Sequence, residues 1–143
     1  MAINANINWA DPTCKVSDHF TVKDCCWLPT WGRLHSPSDT EKHNLMNLIQ
    51  KMEIVRAFLG NRPISVNCCI RPVEYNRQIG GAPSSQHIIG CAMDFQVVGM
   101  SCNAVRAALA GDLETFGLRM EKLENSPWVH LDTKNSKPKY FIP

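Results

Sequence analysis

The chain has 143 residues, of which 44% are hydrophobic and 20% charged, and a formal net charge of +2 at pH 7. This composition is typical of one globular domain, and the net charge is too small to indicate a nucleic-acid partner. No apolar run approaches the ~18 residues of a membrane helix. We therefore expect neither nucleic acid nor a membrane as partner.

The N-terminal sequence MAINANINWADP has neither the basic n-region nor the apolar h-region of a signal peptide. It predicts synthesis in the cytoplasm without a signal peptide. Because residues 1–16 also lack any hydrophobic period, we expect an irregular N-terminal arm there, followed by a single domain over residues 17–143.

Cysteine is abundant, but the count of seven is odd, two pairs are adjacent in sequence and no C-x-x-C occurs. This pattern does not indicate a disulfide framework. We predict that the cysteines are mostly reduced and behave as buried small hydrophobic residues. They are Cys14, Cys25, Cys26, Cys68, Cys69, Cys91 and Cys102.

The clearest helix signal begins at Asp39 and ends at Gly60. Between them, apolar side chains recur at steps of three and four residues, as on the buried face of a helix. The preceding segment WLPTWGRLHSPSD predicts a surface loop anchored by aromatic side chains. The periodic apolar positions of the helix are Leu45, Leu48, Ile49, Met52, Val55 and Leu59.

Alternating apolar residues predict strands in RPISVNCCI and over Ala92–Val98, and the polar run RPVEYNRQIGGAPSS between them predicts a long loop. Ser101 is a candidate N-cap for a second helix, which carries Val105, Leu109 and Leu113 at helical spacing. Two short strands flank the turn-forming ENSP. This order of elements predicts an α+β fold with a small antiparallel sheet and flanking helices.

Two of the five histidines, His87 and His130, lie in a predicted strand or at the entrance to one, where a polar side chain needs a reason. In the stretch SSQHIIGCAMDF, Gly90 disfavours a continuous helix between His87 and Asp94, so we expect a loop leading into a strand. Two imidazoles and a carboxylate are ligands that zinc accepts at ~2.0–2.2 Å, with a fourth position for water. Each histidine taken singly is more often a hydrogen-bonded structural residue.

The same stretch, together with the later WVHLD, resembles the S-x-H-x-x-G-x-A-x-D and W-x-H signature of the zinc peptidases of the M15 family. That family includes D-alanyl-D-alanine carboxypeptidases and dipeptidases, phage endolysins that cut L-alanyl-D-glutamate links, and the related hedgehog signalling domain. The resemblance covers about Ser17 to Asp132. It implies a hedgehog/DD-peptidase-like fold, zinc as cofactor, and His87, Asp94 and His130 as the zinc ligands.

The family also uses an acidic residue shortly before the last histidine as general base, and two candidates precede His130. If ENSP forms a four-residue turn, Glu121 pairs with His130 and projects from the same face, whereas Glu124 lies in the turn. The hedgehog spacing would instead select Glu124. We predict Glu121, with Glu124 as the alternative, and expect Asp132 to orient a ligand imidazole or bond the backbone.

Four further residues are candidates for substrate binding. Arg71 matches the arginine at the end of the family's strand, which implies a clamp on a substrate carboxylate or on the oxyanion of attack. Here NCCIR replaces the more usual Ser-Gly-Tyr-Arg, so the local backbone is expected to differ. Ser85 and Gln86 are candidates for hydrogen bonds to substrate, and Trp128 for lining the pocket.

The resemblance implies a zinc-dependent peptidase that hydrolyses short stem peptides of bacterial peptidoglycan that contain D-amino acids. It does not separate a DD-carboxypeptidase from an L-Ala-D-Glu endopeptidase. We expect a phage-encoded enzyme of cell-wall lysis, an endolysin released or delivered to the wall or carried in a virion, and a monomer unless it is part of a phage particle. The alternative is a catalytically silent zinc-containing binding module or a structural phage-particle component with the same fold.

Overall fold

The computed structural model describes residues 6–143, which hold nine short strands, five helices and one 3₁₀ turn at Gln86–Ile89. The α+β class predicted from the sequence is confirmed. The strands are β1 (Lys15–Ser17), β2 (Phe20–Thr21), β3 (Trp27–Leu28), β4 (Arg33–Leu34), β5 (Ile64–Cys68), β6 (Ala92–Val97), β7 (Arg119–Glu121), β8 (Val129–Asp132) and β9 (Tyr140–Phe141). The helices are α1 (Val22–Cys26), α2 (Asp39–Phe58), α3 (Val73–Gln78), α4 (Cys102–Leu109) and α5 (Leu113–Phe116).

Five strands form the main sheet, in the order β5-β6-β8-β7-β9. The first four pair antiparallel, as predicted, whereas β9 runs parallel to β7 at the edge. With only two residues, β9 is too short for alternation to reveal it in the sequence. The strands β1 and β2 form a separate pair, as do β3 and β4. The centre of the main sheet is therefore β6 and β8, the strands that carry two of the three predicted zinc ligands.

Helix α2 begins and ends where the sequence predicts. Ser38 caps it by accepting a hydrogen bond from Glu41 N, and the Glu41 side chain accepts one from Ser38 N. Neither this 20-residue helix nor any other within residues 6–143 combines the length and apolar character needed to span a membrane. Each apolar side chain of its buried face contributes about 1.5–3 kcal/mol by leaving water. These side chains are Leu45, Leu48, Ile49, Met52 and Val55.

The polar run after β5 is not the long loop that the sequence predicted, because α3 forms within it. Tyr75 is buried and packs edge-on against Trp31, with 5.1 Å between the ring centroids. Asn76 is buried as well. Only these two side chains of a six-residue helix are buried, so the sequence shows no amphipathic period. Tertiary contacts decide that this segment is helical.

The N-terminal arm expected over residues 1–16 is interrupted by structure at its end. Residues 1–5 lie outside the described part of the chain, and Lys15 and Val16 already belong to β1. Val16 is fully buried in the core because β1 pairs with β2. A strand of three residues is too short for its period to be recognised in a sequence.

Two other segments also differ from the prediction. Ser101 caps α4 as expected, its hydroxyl accepting a hydrogen bond from Ala104 N, but the helix stops at Leu109 and α5 begins only at Leu113. Gly111, a poor helix former, lies in the break. The segment predicted as a surface loop with aromatic anchors contains the β3–β4 hairpin instead.

None of the seven cysteines, all of which lie within residues 6–143, takes part in a disulfide. Cys25, Cys26 and Cys69 are buried, as the sequence predicts, and the other four are half-buried. Burial raises the pKa of the Cys26 thiol, which makes it a poor nucleophile at neutral pH. The reduced state in the cell stays a prediction.

Candidate metal centre

Strand pairing brings three acidic or imidazole side chains into one row across the sheet. Asp94 of β6 lies directly opposite His130 of β8. On the other side of β8, Met120 pairs with Leu131, and this register carried one step further sets Glu121 opposite His130. Residues opposite each other in antiparallel strands project from the same face. Asp94, His130 and Glu121 therefore share one face of the sheet.

His87 reaches this row from the 3₁₀ turn that precedes β6. Ser85 caps the turn, its hydroxyl accepting a hydrogen bond from His87 N at 3.2 Å. Gly90 ends it with a φ of 78°, and a Cβ there would lie 3.2 Å from the Leu45 side chain. The position therefore favours glycine on both conformational and steric grounds. The predicted loop leading into a strand is confirmed.

The three predicted ligands converge on one point. One ligand atom each from His87, Asp94 and His130 lies within 4.8 Å of the other two. Asp94 Oδ1 is 2.9 Å from His130 Nδ1 and 3.1 Å from His87 Nε2. The second contact lacks hydrogen-bond geometry, so His87 Nε2 is a buried nitrogen with no hydrogen-bond partner in the described chain. Two nitrogens and a carboxylate oxygen in this arrangement fit a zinc ion.

The outer nitrogen of each imidazole is held by a partner behind the site. His87 Nδ1 lies 2.6 Å from the carbonyl oxygen of Cys69. His130 Nε2 lies 2.8 Å from Asp132 Oδ2, which is the contact expected for Asp132. Such contacts fix the tautomer and the plane of an imidazole so that its other nitrogen faces the metal. Arg119 in turn binds both oxygens of Asp132, each at 2.8 Å.

The charges around the row favour a cation. Burial raises the pKa of Asp94, but its contacts with His130 and His87 outweigh this and hold the pKa well below its usual value. Burial likewise lowers the pKa of His130, yet hydrogen bonds to Asp132 and Asp94, with the charge of Glu121 nearby, raise it to about 9. Three carboxylates facing one imidazole therefore make this part of the protein attractive to positive charge.

Of the two candidate bases, only Glu121 lies at the site in the structure. Glu121 Oε1 lies 3.7 Å from His130 Nδ1, and its side chain lines the open cleft beside the three predicted ligands. Glu124 is exposed in the connection between β7 and β8 and is not among the residues that line the cleft. That connection spans residues 122–128, so the expected four-residue turn is wrong, although the register places Glu121 as expected.

The remaining predicted site residues also meet at this cleft, which has a volume of about 460 Å³. Arg71 N donates to His87 O, and Arg71 Nη2 donates to Ser85 Oγ at 3.1 Å. Its Nε is buried without a hydrogen-bond partner in the described chain. Apart from Glu124, all predicted site residues line the cleft: Arg71, Ser85, Gln86, His87, Asp94, Glu121, Trp128 and His130.

Several residues of the site were not predicted from the sequence. Arg119 stacks on the ring of Phe141, with 3.9 Å from its guanidinium carbon to the ring centroid, and both line the cleft. Lys134 and Ile142 line it too. The alternation that places Glu121 on the ligand face also places Arg119 there, so strand period could have revealed it. Phe141 and Ile142 reach the cleft only because β9 pairs in parallel with β7.

Asn76, which supports the loop ahead of His87, was also not predicted as a site residue from the sequence. Asn76 Nδ2 donates to Ala82 O at 3.0 Å, and Asn76 O accepts from Gly81 N at 2.9 Å. A Cβ on Gly81 would overlap the Asn76 amide, so this close approach requires glycine. The loop wall that carries Ala82 and Ser85 is thereby tied to α3.

Individual proteins of known activity are similar to parts of this chain. Over 64 residues the chain is 36% identical to the zinc D-Ala-D-Ala carboxypeptidase of Streptomyces albus G, covering 45% of this chain and 25% of that protein. The chain thus spans about a quarter of the length of this curated relative. Among solved structures, the L-Ala D-Glu endopeptidase ChiX of Serratia marcescens has a TM-score of 0.42 at 16% identity, covering 67% of this chain and 87% of that one.

The match to a family is broader. A family model described as Peptidase M15 matches residues 18–132, from β1–β2 to the end of β8. This range includes the three residues that converge on the metal position and both candidate bases. The chain therefore belongs to the M15 peptidase family, a family of zinc metallopeptidases.

Proposed function

We propose that the protein is a zinc-dependent peptidase that hydrolyses short stem peptides of bacterial peptidoglycan, in which His87, Asp94 and His130 hold the zinc. The observation that carries this proposal is the convergence of their three ligand atoms beside an open cleft, with His87 Nε2 buried and without a hydrogen-bond partner in the described residues. Three protein ligands with one open side are typical of a catalytic zinc site. When bound there, zinc supplies Lewis-acid activation of water and of the scissile carbonyl.

Glu121 is the proposed general base and acid. Its carboxylate lies beside His130, within the cleft and only partly exposed, so it can take a proton from the attacking water and later give it to the leaving amine. Glu124 remains the alternative base only if the connection between β7 and β8 folds over the cleft. Its exposed position outside the cleft lining argues against that role.

Arg71 is the proposed clamp for negative charge on the substrate. Its guanidinium lies at the cleft, anchored through Ser85, and has an unused buried N–H at Nε. A substrate carboxylate or a developing oxyanion in the cleft would pair with this guanidinium. Ser85 and Gln86 offer further hydrogen bonds, and Trp128 provides an apolar wall.

Under the proposed function, the enzyme cuts one of two candidate peptide bonds. One is the terminal link of a D-Ala-D-Ala peptide, as in the name of the Streptomyces relative, and the other is an L-Ala-D-Glu link. Phage-encoded lysis of the cell wall, carriage in a virion and a monomeric state remain predictions of the sequence.

Digestion of purified peptidoglycan, followed by mass analysis of the released fragments, tests the proposal directly. Release of a single D-alanine identifies a carboxypeptidase, whereas release of peptides that begin at D-Glu, with L-Ala left on the glycan, identifies an L-Ala-D-Glu endopeptidase. If zinc-loaded protein released neither product, this result would contradict the proposed enzymatic function and would support the binding-module alternative. The matched control is Glu121→Gln, which should hold zinc and release little.

A further inference from the structure

The connection between β7 and β8, residues 122–128, ends at Trp128 in the wall of the cleft and is held by side chains from outside it. Trp128 at its end lines the cleft with 40% of its surface exposed. The carbonyls of Ser126, Pro127 and Trp128 are three in succession, and each accepts a hydrogen bond from a side chain of another element. Such side-chain bonds take the role that a strand partner has in the flanking sheet.

Arg106 of α4 makes two of these three bonds. Its Nη1 donates to Trp128 O at 3.0 Å and its Nη2 to Ser126 O at 3.3 Å, while Nη2 also donates to Asn103 Oδ1 at 2.6 Å. Asn103 is bonded in turn to Asn125 of the same connection, through its own amide group and through Asn125 N. The planar fork of an arginine suits this bridging of several acceptors.

Arg106 is a buried cation whose hydrogen-bond partners are neutral oxygens. Only 3% of the residue is exposed, and no carboxylate within residues 6–143 forms an ion pair with it. A charged group is costly to bury unless it is hydrogen-bonded, and here both terminal nitrogens of the guanidinium donate to oxygens of the connection or of Asn103. The one remaining bond comes from β6, where Gln96 Nε2 donates to Pro127 O at 2.6 Å.

We propose that Arg106 is a positioning residue that fixes the Trp128 wall of the cleft and thereby sets the affinity for the substrate peptide. This inference rests on the proposed function, because it assumes that a peptide contacts Trp128. The metal ligands do not depend on Arg106 in the same way: Asp94 and His130 are held by the pairing of β6 with β8. Glu121 lies in β7, before the connection begins. Loosening the connection should therefore weaken substrate binding and leave zinc and proton transfer intact.

The test compares Arg106→Met and Arg106→Lys with wild type, using a synthetic peptidoglycan stem peptide. In Arg106→Met we expect KM to rise about 10-fold or more, with kcat and zinc content nearly unchanged, because misplacing a substrate-positioning group is costly even when the chemistry is intact. Arg106→Lys keeps the charge but not the planar fork, so its KM should lie between those of the wild type and Arg106→Met. Amide hydrogen exchange in residues 122–128 should become faster, while exchange in β6 and β8 stays slow.

Two further variants separate positioning from loss of stability. Lys51→Met removes a cation that donates to a backbone carbonyl away from the cleft, Phe116 O at 3.4 Å, and should lower stability without changing KM. Gln96→Ala loosens the same connection from an exposed position and should raise KM and speed exchange there, even if Arg106→Met fails to fold. Unchanged KM and unchanged exchange in residues 122–128 of Arg106→Met and Gln96→Ala would overturn the proposal. A fall in kcat or zinc content in Arg106→Met that equals the fall in Lys51→Met at the same loss of stability would also overturn it, because general destabilisation would then explain the effect. A wild type inert on every stem peptide would overturn the proposed function alone, since the exchange rates would still decide what Arg106 holds.

Discussion

Asp132 determines which nitrogen of His130 faces the metal position. Its Oδ2 lies 2.8 Å from His130 Nε2, and that leaves Nδ1 directed at Asp94. Asp132 is fully buried and both of its oxygens are bound by Arg119, so it cannot turn away from the imidazole. The geometry of the centre thus depends on a residue that does not itself reach the metal position.

Asp132→Asn should weaken zinc binding by about 10–100-fold, the range typical of residues that orient a metal ligand. Asparagine can still accept a hydrogen bond from His130, but it carries no negative charge to increase the basicity of the imidazole. Competition with a chromophoric chelator measures the change. Equal zinc affinity in the variant and the wild type would show that Asp132 has no such role.

Removal of any one ligand should abolish stoichiometric zinc binding. We expect about one zinc ion per chain in the wild type and almost none in His87→Ala, Asp94→Ala or His130→Ala, because two ligands rarely retain zinc. Metal analysis after gel filtration gives the ratio. His43→Ala is the matched control, since His43 is exposed on α2 and outside the cleft lining, and it should keep its zinc. Full occupancy in His130→Ala would contradict the ligand assignment.

Glu121→Gln should lower kcat on stem peptides by ~100-fold or more while zinc stays bound, because glutamine keeps the size of the side chain but cannot accept a proton. Glu124→Gln should change kcat little, since Glu124 is exposed outside the cleft lining. Steady-state kinetics of the two variants at equal zinc content provides the comparison. The opposite ranking would identify Glu124 as the base.

The thiols should all react after denaturation without reductant. No disulfide joins the seven cysteines, and the neighbours Cys25 and Cys26, like Cys68 and Cys69, cannot pair with each other in unstrained geometry. Thiol titration of freshly isolated protein should therefore count nearly seven groups per chain. Two or more stable disulfides would contradict synthesis in a reducing compartment.

Glu53 should make stability depend on pH at a place distant from the metal centre. Burial raises its pKa, but hydrogen bonds from Ser17 Oγ, His19 Nδ1 and His19 N outweigh this, and the pKa lies below its usual value of 4.5. A lowered pKa in the folded state means that the ionised group stabilises the fold above the unfolded pKa, and that this contribution is lost as pH falls through the folded pKa.

Glu53→Gln should therefore lower the free energy of unfolding by about 1–3 kcal/mol at neutral pH, the scale of hydrogen bonds to a charged group. The difference from wild type should shrink as pH falls below about 4.5. Urea denaturation at a series of pH values measures both effects. Asp39→Asn is the control, because the Asp39 side chain is fully exposed and its replacement should cost little at any pH. A difference that persists unchanged at low pH would show that the effect is steric.

The sequence by itself determined the elements and residues that depend on local pattern. The helix observed over Asp39–Phe58 was expected from apolar spacing and from the stop signal at Gly60, because both act within a few residues of one another. The convergence of His87, Asp94 and His130 followed from their resemblance to a family signature. The register expected for β7 and β8 set Glu121 beside His130, although the four-residue turn from which it was expected does not form.

Only the tertiary structure decided the features in which distant segments meet. The salt bridge of Arg119 with Asp132 and the contact of His87 Nδ1 with Cys69 O require strands or loops to be brought together by folding. The same holds for the bonds from Arg106 to the β7–β8 connection, whose partners are 20 or more residues away in sequence. Side-chain hydrogen bonds leave no periodic trace in a sequence, since their partners are set by distance in space and not by spacing along the chain.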